Sequence, residues 1–583
     1  MSHRPIRFFN RGDIVSVAGA HPTRSVLDWL REDARRVGTK EGCNEGDCGA
    51  CTVVVAELAA PDAADAVRGL MLRAVNACLM FLPALDGKAL YTVEDLKGLP
   101  VLHAGMGGAA ADDADAGAAL VSVSANATAL SPARVPAATA AAATALSDAD
   151  SHPTGAGTTH DPAALPLHPV QRALVDCHGS QCGFCTPGFA MSLWSVYECH
   201  DARGSRPTRR QLADALSGNL CRCTGYRPIL DAGERMFDLP PVRLDTAATV
   251  TALRRLRVDA GETTFDYAAP NPAVVDAAGL ARIDRFHAPR TLDALAALRA
   301  AKPAACLIAG TTDVGLWVTK QFHDLGDLVS LAEVAALKRI DEAGHELTIG
   351  AGASLEDAWR ALVRRFPALT EVWLRFASVP IRNAGTLGGN VANGSPVGDA
   401  APVLMALDAQ LDLRCGERVR RMPLAEFHTG YMQNRLEAGE FVQTIRVPLP
   451  GPGRPAPVLR AYKIAKRFDC DISAVCAGLA LALDGDTVRE ARLAWGGMAA
   501  TVRRAPHAEA ALAGRHWNEP ALRAAQAALA ADFTPLTDLR ASAAYRLQVA
   551  RNLLERFWLA TRSDAPLNAD ALGVWHPMTP VST

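Results

Sequence analysis

The chain has 583 residues, 60 basic and 62 acidic side chains, a net charge of −2 and an ordinary 49% apolar content. That length calls for three or four domains with cores of their own, and the near-neutral balance gives no electrostatic case for nucleic acid or an anionic membrane surface as main partner. No apolar run reaches membrane-spanning length and none follows the first five residues, so a cytoplasmic chain with reduced thiols is expected, without a secretory signal.

Residues 1–103 read as one α/β unit. Residues 14–17 are strand-like, and 23–37 carry helical periodicity with Thr23 as N-cap. A glycine- and cysteine-rich loop over 42–50 precedes a β-branched strand at 52–55. Helix is expected over 69–79, then a strand near 89–93. Residues 104–165 are rich in Ala, Gly, Ser, Thr, Asp and Pro and lack aromatics. They read as a low-complexity, disordered insertion; Pro132, Pro136 and Pro153 argue against a long alanine-rich helix.

Residues 166–238 read as a small helical domain. One helix opens at His168-Pro169, and another at Thr186-Pro187-Gly188 with proline in the first turn. A third runs over 209–216 and is closed by Gly218, and a fourth opens at Tyr226-Arg227-Pro228. Residues 239–280 read as a connector and 281–455 as a larger α/β domain. Residues 456–583 mix strands (474–483, 488–495) with helices (506–512, 519–531, 541–559). The fold class is multidomain α+β.

Eight of the fourteen cysteines form two sets. The first is Cys43-x4-Cys48-x2-Cys51 with Cys78 further on, the plant-type spacing for a 2Fe-2S cluster. Soft thiolates suit iron and sulfide, and Gly42, Gly46 and Gly49 let backbone amides turn toward the sulfurs. The second is Cys182-x2-Cys185 and Cys221-x-Cys223, for which spacing alone leaves iron–sulfur and zinc open. The other six, Cys177, Cys199, Cys306, Cys415, Cys470 and Cys476, read as buried small hydrophobes. No GxGxxG fingerprint follows an early strand, so a Rossmann site is unsupported. Two glycine-rich segments, 306–314 and 378–399, could hold a pyrophosphate through amides and Thr or Asn side chains.

The stretches Glu41-Gly-Cys-Asn-Glu-Gly-Asp-Cys-Gly-Ala-Cys51, Gly179-Ser-Gln-Cys-Gly-Phe-Cys-Thr-Pro-Gly188 and Gly218-Asn-Leu-Cys-Arg-Cys-Thr-Gly-Tyr-Arg-Pro228 resemble the iron–sulfur domains of the molybdenum hydroxylases. Within that family the resemblance is to the small subunits of bacterial xanthine dehydrogenases. It covers most of the chain outside 104–165 and the connector. It implies a plant-type ferredoxin-like domain, a helical 2Fe-2S domain, a vanillyl-alcohol-oxidase-like FAD domain and an α+β flavoprotein C-terminal domain. Both cysteine sets would then hold 2Fe-2S clusters.

By the same resemblance, Leu307, Ile308, Ala309, Gly310, Thr311, Thr312, Asp313 and Val314 would bind the FAD pyrophosphate. Phe376, Thr386, Asn390 and Asp399 would line the flavin, Gly388 and Gly389 would admit it closely, and Val442 and Lys463 would complete the site. Asp399 also reads as a helix N-cap. Thr311 stands where the family has Asn or Ser, and Asn393 where it has a hydroxyl residue. Segment 427–431 resembles the NAD-facing side of the flavin, 463–472 the strand and turn that reach its ring, and Gln181 and Cys223 the residues near a partner's pterin.

The implied activity is electron transfer. A molybdenum centre on a large partner subunit would oxidise hypoxanthine or xanthine. Electrons would enter at the Cys182 set, pass to the Cys43 set, collect on FAD and leave to NAD. No substrate-oxidising residue is expected on this chain, and two small and two large subunits would form a heterotetramer. The alternatives are the same module serving an aldehyde, nicotinate, aromatic acyl-CoA or carbon monoxide enzyme, or a non-enzymatic zinc scaffold.

Overall fold

The computed structural model describes residues 4–61, 63–97, 99, 121–124, 167–259 and 263–568. The first unit is a mixed sheet in the order Leu70–Asn76, Thr52–Leu58, Ala89–Tyr91, Ile6–Asn10, Asp13–Ala18, Val121–Ser124. A short helix, Val26–Asp28, continues as a wider π turn, Trp29–Asp33, and buries Leu27, Trp29 and Leu30 against the sheet. Its cap is Ser25, whose hydroxyl accepts from Asp28 N at 3.0 Å. Thr23, the expected cap, instead bonds His21 at 2.8 Å.

The expected helix over 69–79 is corrected to the strand Leu70–Asn76. Leu70, Leu72 and Ala74 are buried in alternation, and the segment pairs antiparallel with Thr52–Leu58 along its whole length. Pairing with a β-branched neighbour overrides the helical propensity of Leu, Met and Ala here. Cys78 therefore sits in the turn beyond a strand end, against Cys51 at the start of the neighbouring strand. Of the segment 104–165, only Val121–Ser124 is described, as a parallel strand beside Asp13–Ala18; the expected disorder lies outside the described residues.

The helical unit consists of Pro169–Asp176, Thr186–Ala202, Arg209–Ala215 and Arg227–Arg235. Capping boxes start two of them, His168 with Gln171 and Thr208 with Gln211. The Thr186–Ala202 helix lies on the first sheet, sharing a core in which Trp194 meets Tyr91 at 5.2 Å between ring centroids.

The described residues of the 239–280 connector include regular structure. The helix Ala247–Asp259 docks on the first unit, with Thr249 Oγ1 2.7 Å from Tyr91 OH. The strand Thr264–Val275 then pairs with Ala281–Pro289. It is an edge strand, which tolerates Pro270 and Pro272 because one side needs no amide donor. The third unit holds this four-stranded sheet and a five-stranded one, ordered Ile340–Ala343, Glu346–Gly350, Phe441–Pro448, Gln410–Cys415, Arg418–Pro423. The last unit is an antiparallel sheet of Val458–Ile464, Val475–Asp484, Thr487–Gly496 and Arg503–Arg504, covered by Pro506–Leu512, Glu519–Asp532 and Ala543–Thr561. No helix among the described residues is long and apolar enough to cross a membrane.

Three units meet at glycines, whose missing side chains let the neighbouring segments come close. A Cβ on Gly188 would lie 2.1 Å from Gly49 O, one on Gly49 2.2 Å from Gly218 O, and one on Gly218 2.2 Å from Ser378 Cβ. Asn219 Nδ2 donates to Gly49 O at 3.1 Å and is itself oriented by Ser192 at 2.7 Å. At another point Asp65 of the first unit pairs with both Arg203 of the second and Arg360 of the third. Gly188→Ala is expected to cost about 1–3 kcal/mol through overpacking against a rigid carbonyl. A lower thermal midpoint in calorimetry of the full chain would show it; an unchanged midpoint would mean that this contact can open freely.

Candidate functional site

Three members of the first cysteine set, Cys43, Cys48 and Cys51, lie in the loop between the π turn and Thr52–Leu58, and Cys78 lies in the turn after Leu70–Asn76. Cys43 N and Cys48 N each donate to the other residue's sulfur at 3.3 Å, and Cys51 Sγ is 3.3 Å from Cys78 Sγ. The Cys43 pKa is drawn down to about 5 by the Cys48 thiol and by the amides of Cys48, Glu45 and Asp47. Gly42 is required here because a Cβ would press on Cys48 Sγ at 2.8 Å.

The second set brackets the start of Thr186–Ala202, with Cys185 at its N-cap position. Burial and the contact with Cys221 raise Cys185 to about 12, and the neighbouring Cys182 thiol raises Cys223. Its sulfurs thus pair Cys182 with Cys223 and Cys185 with Cys221. Cys221 is buried, with Thr224 Oγ1 3.2 Å from its sulfur, whereas Cys182 and Cys223 are exposed beside the exposed Gln181.

This pairing tests which metal the residues fit. A structural zinc needs its four ligands around one point. Among the described residues no three His, Cys, Asp or Glu side chains converge as ligands of one ion. Two close pairs per set instead suit two irons, two thiolates to each, as in a four-cysteine 2Fe-2S cluster. The two sets are also joined, because Leu220 N, next to Cys221, donates to Cys48 O at 2.9 Å.

Beside the first set lies a cavity of about 840 Å³. Its wall includes Glu45, Gly46 and Asp47 of the first cysteine loop, all of 307–314, and Phe376, Thr386, Gly388, Gly389, Asn390, Asp399 and Val442. Within the glycine-rich segment 378–399 the chain forms two short helices, Val379–Ala384 and Leu387–Asn393. Ser378 and Thr386 cap them, with hydroxyls 3.3 and 3.0 Å from the amides of Ile381 and Gly389. Gly310 approaches the first of these so closely that a Cβ would lie 1.7 Å from Ala384 O. Thr311 adopts φ 56°, rare for a β-branched residue, and its hydroxyl donates to Leu79 O at 2.7 Å, tying the loop to the first unit. Asn390 Oδ1 is buried without a partner, an acceptor left for a bound group.

Lys463 departs from expectation. It does not line the cavity. Its side chain is 1% exposed and its Nζ is 2.6 Å from Asp399 Oδ2 and 2.8 Å from Ser473 Oγ. Ser473 in turn donates to Asp399 Oδ1 at 2.6 Å. Asp399 stands at the N-cap position of Ala400–Ala406 without making a cap bond, because both its oxygens are engaged from behind. Of the 427–431 segment, Phe427 is core and Tyr431 is 67% exposed, and neither lines the cavity. Arg299, Met432, the 436–440 turn and Cys470–Ile472 do line it. No motif marks Arg299; in sequence it is one more cation on an alanine-rich helix.

Four family models match, a 2Fe-2S iron–sulfur cluster binding domain over 9–82, a [2Fe-2S] binding domain over 154–234, an FAD binding domain in molybdopterin dehydrogenase over 281–450 and a CO dehydrogenase flavoprotein C-terminal domain over 460–561. The chain is a 2Fe-2S/FAD module of the molybdenum hydroxylase family. It is 28% identical to a xanthine dehydrogenase of Emericella nidulans over 95% of this chain and 38% of that protein. It is 29% identical to aldehyde oxidase 4 of Cavia porcellus over 88% and 36%. A solved structure of carbon monoxide dehydrogenase from Hydrogenophaga pseudoflava is 29% identical, with a TM-score of 0.44 over 46% of this chain and 94% of that one. The chain spans less than two fifths of the length of the curated relatives it matches.

Lys463→Met would leave the Asp399 carboxylate buried and unpaired. The expected cost is about 3–5 kcal/mol, read as a lower temperature of flavin release. Adding Asp399→Asn should recover part of that loss, and an unchanged release temperature in the single variant would show that the pair holds nothing.

Proposed function

We propose that this chain is the electron-transfer subunit of a xanthine dehydrogenase. It would accept electrons from a molybdenum centre on a large partner chain that oxidises hypoxanthine or xanthine, and deliver them to NAD. The observation that carries the reading is the continuity of the three candidate sites. The Cys48–Leu220 hydrogen bond joins the two cysteine sets, and the first cysteine loop supplies Glu45, Gly46 and Asp47 to the wall of the large cavity. When bound, 2Fe-2S clusters supply one-electron chemistry and a flavin supplies both one- and two-electron chemistry.

The protein's own residues would serve that relay in stated ways. Cys43, Cys48, Cys51 and Cys78 hold one cluster, and Cys182, Cys185, Cys221 and Cys223 the other. The exposed Cys182, Gln181 and Cys223 leave the second set open to a partner surface. The loop Leu307–Val314 with Thr386 and Asn390 receives the FAD, and Lys463 and Ser473 hold Asp399 in one orientation at the flavin. Arg467, 3.5 Å from Asp47 and hydrogen-bonded to Cys470 O at 2.7 Å, ties the turn over the cavity to the first cysteine loop.

Support for purine oxidation is the xanthine dehydrogenase relative that aligns with 95% of the chain, together with iron–sulfur and flavin domains fused in one polypeptide and the 463–472 segment. The same unit serving an aldehyde oxidase is the second reading, favoured by the 29% identical relative. A cytoplasmic heterotetramer of two small and two large subunits is the assembly this reading implies.

The chain purified alone should carry about four irons and one flavin, oxidise NADH with an artificial dye, and leave xanthine untouched. Purified with its large partner it should reduce NAD with xanthine. Aldehyde turnover with no xanthine turnover would replace the purine reading by the second one, and a colourless zinc protein would end both.

A further inference from the structure

One charge in the large cavity is left unused by the reading above. Seven carboxylic residues line the cavity, yet Arg299 is the single Lys, Arg or His in its wall among the described residues. Arg299 stands on the helix Leu292–Ala301 and is 7% exposed. Its Nη1 donates to Lys302 O at 3.3 Å and Ala305 O at 2.8 Å, and its Nε is buried without a partner. Among the described residues no carboxylate pairs with it, and its side-chain hydrogen bonds go to those two carbonyls alone.

The nearby acids are already neutralised. Glu440 is held by Arg418 at 3.1 Å and Arg420 at 2.8 Å, Glu437 by Arg418 at 2.5 Å, and Asp399 by Lys463 at 2.6 Å. A guanidinium keeps its proton in a protein interior, and a buried charge without a counter-charge is strongly unfavourable. Arg299 is thus left without an acid partner, while these three acids have cations elsewhere. The Ala309–Asp313 loop offers amides, hydroxyls and the Asp313 carboxyl but no cation, so among the described wall residues a dianionic pyrophosphate entering the cavity meets positive charge only at Arg299.

We propose that Arg299 is the counter-cation of the dinucleotide's pyrophosphate, with its free Nη2 donating to a phosphoryl oxygen. The proposal rests on the assignment of this cavity to FAD and adds the residue that recognises its charge. Arginine suits the task because its planar fork binds phosphoryl oxygens strongly and in a set direction. Sequence gives no hint of it, because the helix that carries Arg299 precedes the glycine-rich loop and belongs to no motif.

The test is calorimetric binding of FAD, ADP and adenosine to the full chain stripped of flavin. ADP carries the pyrophosphate and adenosine does not. The wild type should bind ADP about tenfold or more tightly than adenosine. Arg299→Met should weaken ADP and FAD by about tenfold while leaving adenosine within about twofold, and Arg299→Lys should fall between the two. An ADP-to-adenosine ratio unchanged by Arg299→Met would overturn the proposal. So would equal losses for both ligands, which would make Arg299 part of the wall through its carbonyl bonds. A wild-type chain that does not bind FAD would instead sink the assignment of the cavity and leave Arg299 without a ligand.

Discussion

The arrangement of the candidate cofactor sites depends on three glycines that let the units approach one another closely at the ligand loops. Gly49 follows the first cysteine loop's second ligand, Gly188 lies in the first turn of the helix after Cys185, and Gly218 precedes Cys221 by three residues. Each is required because a Cβ would strike a neighbouring unit at just over 2 Å. The contact is therefore made at the ligand loops themselves. It explains why the hydrogen bond from Leu220 to Cys48 can form at all. A side chain at Gly49 or Gly188 would push the two cysteine loops apart, and one at Gly218 would push the second cysteine loop away from Ser378.

The same logic extends to the flavin cavity. Gly218 meets Ser378, the residue that caps Val379–Ala384, and Gly310 sits against the last residue of that helix. Thr311 completes the link by reaching Leu79, one residue beyond the ligand Cys78. The glycine-rich loop is thus held between the first unit and the third, and its strained φ is maintained by contacts on both sides. Electrostatics then sort the cavity's charges. Most acids at its wall have their own cations behind them, Asp399 with Lys463 being the most deeply buried, and Arg299 alone faces inward without an acid.

The sulfur pairs separate two metal chemistries that spacing leaves open for the second set. Cys-x2-Cys with Cys-x-Cys is compatible with zinc on paper, because spacing says only how far apart ligands can be. In space Cys182 meets Cys223, and Cys185 meets Cys221, so each pair draws one sulfur from either loop. That arrangement distributes two thiolates to each of two positions, which suits a two-iron cluster.

What the sequence by itself determined is local. Ligand spacing within a loop, glycines that free its amides, capping residues and the order of four domains all depend on neighbours within a few residues, and each is readable there. The tertiary structure decided what depends on distant partners. Leu70–Asn76 is a strand because Thr52–Leu58 lies beside it, although its own residues favour a helix. Residues 239–280 carry a helix and an edge strand because sheets elsewhere have a face and an edge to cover. Lys463 turns away from the cavity because Asp399, 64 residues earlier, needs a counter-charge where water is excluded. Arg299 acquires a role only once the 436–440 turn and the 307–314 loop close a cavity around it. A charge has no functional meaning until burial removes the solvent that would otherwise neutralise it, and burial is a property of the packed molecule.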